Sequence, residues 1–206
     1  MDGQDYLNQI SSAVRPEKVS KLSGKMFSSK IFLIIGIGIV LFIIIAIIGA
    51  VLGSNKGGEK NLSFRLKLHL SNTSELVNTF QPSIKSSDLR SGSASLYSVL
   101  TNTDRELTDY LTDRYGFKDK DISSKITEEM KLERDGLETK LFEAKISGTL
   151  DRVFANEMTF EVSTLMNEES KIYDTTGNTD LKELLTKSYN SLENLYNKFD
   201  SFSEAN

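Results

Sequence analysis

Apolar residues are distributed along this chain in two distinct ways. Residues 31–53 read IFLIIGIGIVLFIIIAIIGAVLG, an unbroken run of 23 residues without a charge, a proline or a polar side chain. A helix of that length rises about 35 Å, enough to cross the ~30 Å hydrocarbon core of a bilayer with some tilt. From residue 62 onward the apolar positions recur instead at the three- and four-residue spacing of amphipathic helices.

The spacing predicts five such helices. The first covers 62–80, with Leu62, Leu66, Leu70, Leu76, Val77 and Phe80. One conflict lies inside it: NLSFRLKLHLS, residues 61–71, alternates apolar and polar in the manner of a strand. Helix is preferred, because Leu62, Leu66 and Leu70 also stand four apart, and no second alternating run offers a partner strand to satisfy the backbone. Pro82 and the polar residues after it make a turn. The second helix covers 88–115, with Leu89, Leu96, Leu100, Leu107, Tyr110 and Leu111, and Gly116 follows as its C-cap. The third starts near Ser123 and carries Ile126, Met130, Leu137 and Leu141, with a break or kink at Ser147-Gly148. The fourth covers 149–173, with Leu150, Phe154, Met158, Val162, Leu165 and Ile172. After the loop 175–178 comes the cleanest stripe: Leu181, Leu184, Leu185, Leu192, Leu195, Tyr196, Phe199 and Phe202. Thr179 or Asp180 is placed to cap it, with Glu183 completing a capping box. The expected fold is therefore all-α: a single N-terminal transmembrane helix followed by an antiparallel bundle of four or five helices. Its expected divisions are a polar, disordered cytoplasmic tail at 1–30, the membrane helix at 31–53, a linker at 54–59 and an extracytoplasmic bundle at 60–203.

Charge and composition sharpen this picture. The chain carries a net −4, but residues 1–53 carry +2 and the remainder −6. An acidic bundle lacks the concentrated basic surface that nucleic acid needs. Cysteine is absent, which removes disulfides and thiolate metal sites. The apolar run exceeds the 7–15 residues of a signal-peptide core, so an uncleaved anchor is the expectation. Asp2 after Met1 excludes N-myristoylation. Arg15, Lys18, Lys21, Lys25 and Lys30 precede the anchor, while Lys56, Lys60, Arg65 and Lys67 follow it, so basic residues bias the orientation only slightly. The long domain after the anchor can be translocated whatever its charge, which puts the N-terminus in the cytoplasm and the bundle outside. Within the anchor, Ala46 and Ala50, and Gly49 and Gly53, have the small-xxx-small spacing that lets membrane helices approach and would allow a homo-oligomer.

Little in the bundle suggests chemistry. His69 is the only histidine, which excludes two-histidine zinc hydrolysis and paired Glu-x-x-His di-iron sites. Between Leu68 and Leu70 it reads as a surface or boundary residue. Glu157 and Glu161 stand one turn apart, and with Glu75, Glu106 or Glu129 they would make an all-carboxylate site suited to calcium, magnesium or manganese. Against that stands a solvated acidic helix face. No catalytic residue, cofactor site or metal site is assigned.

The run Ser147-Gly148-Thr149-Leu150-Asp151-Arg152-Val153-Phe154, followed by Met158, resembles the start of the third bundle helix in a ferritin-like bacterial family of secreted or envelope proteins of unknown function. The stretch from Asn178 through Leu192 and Leu195 is similar to that family's last helix. The resemblance implies a helical bundle and an envelope location. The family's helices usually carry histidines, where this chain has Glu161-Val162 and Leu195-Tyr196, so it implies no metal or redox role.

The expected function is that of a non-enzymatic binding or structural protein, held in the bilayer and recognising another envelope or surface protein through a helix face. Tyr97, Tyr110, Tyr115, Tyr189 and Tyr196 are the aromatic residues that could anchor such an interface if exposed. The alternatives are a sensor ectodomain signalling through a partner, and a carboxylate-only metal-binding bundle.

Overall fold

A computed structural model of the protein describes residues 58–205. Five α-helices account for nearly all of this region: α1 (Gly58–Phe80), α2 (Ser87–Tyr115), α3 (Ser124–Ser147), α4 (Leu150–Thr175) and α5 (Thr179–Ala205). Single 3₁₀ turns at Gln81–Ser83 and Asp119–Asp121 interrupt two of the connections, and no strand occurs among the described residues. No described helix is long and apolar enough to cross a membrane. The apolar run 31–53, with Ala46, Gly49, Ala50 and Gly53, lies outside the described residues.

Local sequence explains where each helix stops. Ser86 and Ser123 accept the backbone N–H of Leu89 and Ile126, capping α2 and α3. Gly116 and Gly148 end the same two helices at φ +63° and +76°, a left-handed conformation that costs glycine nothing. The break at Ser147-Gly148 is thus complete, and α4 runs back along α3. Asn178 rather than Thr179 or Asp180 caps α5, its Oδ1 accepting from Leu181 N at 2.9 Å. The helix therefore begins two residues earlier than the Asp180–Glu183 capping-box pattern implies. Helix α1 starts at Gly58, taking up two residues expected in the linker.

Four helices close a ring in the order α1, α2, α5, α4, and α3 packs outside it against both α1 and α4. Neighbours in the ring are antiparallel. Lys67 pairs with Asp104 while Glu59 reaches Tyr110 and Tyr115, and Arg65 and His69 meet Glu168 and Glu161. Helix α3, by contrast, runs in the same sense as α1, since it too is antiparallel to α4: Glu133 shares Arg65 with Glu168, while Lys140, further along α3, meets Glu157, further back along α4.

The stripes read from α2, α4 and α5 face one continuous core, with Leu96, Leu100, Phe154, Met158, Val162, Leu192 and Phe199 fully buried. Each such side chain contributes about 1.5–3 kcal/mol of transfer free energy. Helix α1 differs. Ser63, Phe64, Arg65 and Leu66 are four consecutive buried residues, so most of its circumference is enclosed, by α2 and α4 on the ring and by α3 outside. That enclosure resolves the alternating pattern of residues 61–71. The polar positions Ser63, Arg65, His69 and Thr73 turn inward toward other helices, where a two-sided helix would have exposed them.

Candidate functional site

Arg65 and His69 stand one turn apart on α1 and point into the seam between α1, α3 and α4. Arg65 Nε donates to Glu168 Oε1 at 3.0 Å, and its Nη2 donates to Glu133 Oε1 and Oε2 at 3.0 and 3.3 Å. Its Nη1 lies 3.6 Å from Glu129 Oε2, an ion contact too long for a hydrogen bond. His69 Nε2 lies 2.7 Å from Glu161 Oε2, and Nδ1 lies 3.0 Å from Glu168 Oε2. Glu168 thus gives one oxygen to each cation.

The expected surface position of His69 is therefore corrected: it is 5% exposed. Burial alone would lower its pKa, but the charge of Glu168 and the hydrogen bonds to Glu161 and Glu168 outweigh burial and push it up to about 10. Both ring nitrogens donate, so His69 is an imidazolium at neutral pH. The same cations hold Glu168 below the usual carboxylate range against its own burial. An imidazolium bonded on both sides offers no lone pair for base catalysis or metal binding. What the arrangement does is tie three helices together. Breaking a buried ion pair by removing one partner costs about 3–5 kcal/mol.

The carboxylates of the postulated metal site do not converge. Glu161 pairs with His69, Glu157 with Lys140, Glu75 with Arg134, Glu106 with Lys187, and Glu129 with Arg65 and Lys125. Each has a cation of the chain itself, and no group of three metal-ligand side chains forms among the described residues. The Asp-Arg motif also has a structural role here. Asp151 accepts the backbone N–H groups of Lys85 and Ser86 at 3.0 and 2.7 Å, fastening the start of α4 to the start of α2.

A second polar chain crosses the ring itself. Thr103 Oγ1 on α2 donates to Ser188 Oγ on α5 at 3.0 Å, and Ser188 Oγ donates to Glu169 Oε1 on α4 at 2.6 Å. Glu169 is 1% exposed, and its Oε2 has no hydrogen-bond partner. Burial pushes its carboxyl up to about 8, with the adjacent Glu168 charge adding to the rise and the Ser188 hydrogen bond opposing it. Glu59, at the start of α1, accepts from the hydroxyls of Tyr110 and Tyr115 at 2.8 and 2.7 Å.

Those two tyrosines are consequently structural. Tyr196 packs against the core, Tyr189 is partly buried, and Tyr97 is exposed. The larger exposed apolar group lies elsewhere, on α3: Leu132 is 74% exposed, Phe142 55% and Ile146 72%. At 100° per residue these three span about 80° of one helix face. Sequence reasoning placed the inward stripe of α3 and overlooked this outward one.

Surface clefts accompany these features. One of about 530 Å³ lies between α2 and α5 and is lined by Glu106, Tyr110, Asp113 and Lys187 among others. One of about 600 Å³ lies where α4 begins, beside Lys85, Lys145 and Arg152. A smaller one, about 180 Å³, lies between α4 and α5. No residue of the Arg65–His69 network lines any of them. Compared with known proteins, the chain matches no family model, no curated protein and no solved structure.

Proposed function

We propose that this chain is a single-pass membrane protein with a cytoplasmic N-terminus, whose extracytoplasmic bundle binds another envelope or surface protein through the outer face of α3 and performs no chemistry of its own. The apolar run 31–53 supports the anchor. The order of helices and the Asp151-Arg152 motif support kinship with ferritin-like envelope bundles.

The observation that carries the binding reading is the exposed trio Leu132, Phe142 and Ile146. Large side chains grouped on one solvent-facing helix stripe are the usual mark of a partner surface. Gly136 lies within the same stretch, and beyond its own helix backbone and its two chain neighbours nothing comes within 4 Å of where its Cβ would be. Glycine in an exposed helix interior lowers stability, and here it also leaves a flat spot beside Leu132 where a partner helix can approach closely.

Two experiments test this. A photo-crosslinking residue at Phe142, compared with one at Asn197 on α5, should give a specific adduct in cells only from α3. A Leu132→Ser, Phe142→Ser, Ile146→Ser variant should keep the bundle folded and lose that adduct. Equal crosslinking from both positions, or an adduct indifferent to the triple substitution, would refute the interface. Orientation is tested with single cysteines at Ser12 and Ser203 and a membrane-impermeant maleimide. Labelling of Ser203→Cys alone is expected on intact cells, and labelling of Ser12→Cys alone would place the bundle in the cytoplasm.

A further inference from the structure

The cleft of about 600 Å³ where α4 begins differs in charge from the other clefts. Lys85, Lys145 and Arg152 line it, and Asp151 is the one acidic residue among its lining groups. All three cations are exposed, and none makes an ion pair with the chain itself. The cleft between α2 and α5 instead sets Arg114 and Lys187 against Glu106, Asp113, Asp180 and Glu183. The one between α4 and α5 has Glu169 and Asp174 and no cation. Positive charge is thus gathered, unanswered, in one cleft of a bundle that is acidic as a whole.

The hydrogen-bonding groups there are as one-sided as the charge. Both oxygens of Asp151 are occupied by the backbone N–H groups of Lys85 and Ser86. The Ile84 carbonyl accepts from the Arg90 side chain, and the Ala144 and Lys145 carbonyls accept from Thr149 N and Gly148 N. Asp151 also lies in the first turn of α4 and answers its dipole, so the charge left over is that of the three side chains. What the cleft offers is donors: two ammonium groups, a guanidinium, and the hydroxyls of Ser83 and Ser86. Donors without free acceptors suit a ligand that brings acceptors only, which is the chemistry of a phosphate ester. An acidic peptide would bring a backbone N–H with each residue and find these acceptors already used. At roughly 30 Å³ per water the cleft holds the volume of about twenty waters, so a single phosphate ion would leave most of it empty.

We propose that this cleft, at the end of the bundle opposite Gly58, binds a ligand carrying two or more phosphate groups. The planar fork of Arg152 meets two oxygens of one phosphate, and Lys85 and Lys145 act as point charges on the other. Such phosphates reach the cleft either on a soluble or polymeric ester or on lipid headgroups. The site does not depend on the outer face of α3, for Leu132, Phe142 and Ile146 are not among its lining residues.

The test uses the full chain in discs of phosphatidylcholine, titrated with tripolyphosphate and, separately, with a polyglutamate peptide. Binding is followed by NMR shifts of backbone amides. Saturable binding of tripolyphosphate is expected, with shifts confined to residues around 83–86 and 145–152. Arg152→Gln and Lys85→Gln should each weaken it about tenfold, the scale of a charge-assisted hydrogen bond. Both positions are exposed and unpaired, so the fold should be unchanged. Lys131→Gln, at an exposed lysine of α3 outside the cleft, should leave binding as it is. The Leu132→Ser, Phe142→Ser, Ile146→Ser variant should also bind as wild type, so this site and the α3 interface stand or fall separately. Vesicles of phosphatidylglycerol, added in place of tripolyphosphate, separate the two sources of phosphate. Co-sedimentation that Arg152→Gln abolishes would assign the site to lipid headgroups, and none would assign it to a soluble or polymeric ester. Absence of saturable tripolyphosphate binding, equally tight binding of polyglutamate, or equal weakening by Lys131→Gln would overturn the proposal.

Discussion

Glu168 and Glu169 are neighbours on α4, equally buried, and in opposite chemical states. The first turns toward α1, where Arg65 and His69 hold it as a carboxylate. The second turns toward α5, where the Ser188 hydroxyl, itself bonded by Thr103 of α2, is its hydrogen-bond partner, and burial keeps its proton on up to about pH 8. Burial is common to both, so it does not decide the charge. What decides it is which helix the side chain meets, and a rotation of about 100° between adjacent helical residues is enough to change that. The α1–α3–α4 seam is held by charge and the α2–α4–α5 seam by neutral hydrogen bonds.

The comparison is broken most severely at Glu168. Glu168→Gln leaves Arg65 and His69 buried with fewer anions, and a cost of about 3–5 kcal/mol is expected in urea unfolding at pH 7. Glu169→Gln at pH 6 should cost little, because the wild-type group is already neutral there. Equal losses in the two variants would show that both seams are held by charge.

Stability against pH sharpens the contrast. Glu169 is raised in the folded state from 4.5 to about 8, so its contribution is intact below pH 4.5 and is lost as pH rises toward 8. His69 is raised from 6.5 to about 10, so its contribution is intact below pH 6.5 and is lost as pH rises toward 10. Between pH 6.5 and 8 the folded state holds two protons that the unfolded state has released, and stability should fall by about 2.7 kcal/mol per pH unit. Glu169→Gln removes one of these protons and should halve that slope, leaving a fall of about 1.4 kcal/mol per unit that continues toward pH 10. An unchanged slope in Glu169→Gln would mean that Glu169 is ionised when folded. The neutral seam can also be broken from α5. Ser188→Ala strips Glu169 Oε1 of its donor, and a loss of about 1–3 kcal/mol is expected, with a smaller loss for Thr103→Val.

The sequence shows one half of this comparison better than the other, for a physical reason. Helices α2, α4 and α5 each bury a single stripe, so Leu96, Met158 and Leu192 could be assigned to a core from spacing alone. Helix α1 is enclosed on several sides, and its polar residues Ser63, Arg65, His69 and Thr73 are buried along with Leu66 and Leu70. His69 then reads as a boundary residue, because the groups that draw it inside, Glu161 and Glu168, lie 92 and 99 positions away. A usable signal was present: Arg65 and His69 share a face of α1, and Glu161 and Glu168 stand seven apart on one face of α4. Phe64, which lies 5.0 Å from Phe117 between ring centroids, was missed for the same reason. Helix α3 poses the reverse difficulty. It carries one apolar stripe inward and another outward, which blurs the periodicity from which either would be read.

That outward stripe supplies the smallest test, and it concerns surface against seam. Gly136 is exposed in the middle of α3, with open space where a Cβ would stand. Alanine there restores helix propensity, and about 1 kcal/mol of added stability is expected from urea unfolding of Gly136→Ala. A substitution that stabilises the bundle by that mechanism has no reason to disturb either seam, so the pH slope should match wild type. If α3 is a partner surface, the same methyl group removes the flat spot beside Leu132, and crosslinking from Phe142 should weaken even as the bundle grows more stable. A more stable bundle with undiminished crosslinking would separate Gly136 from the interface. The contact would then rest on Leu132, Phe142 and Ile146 alone.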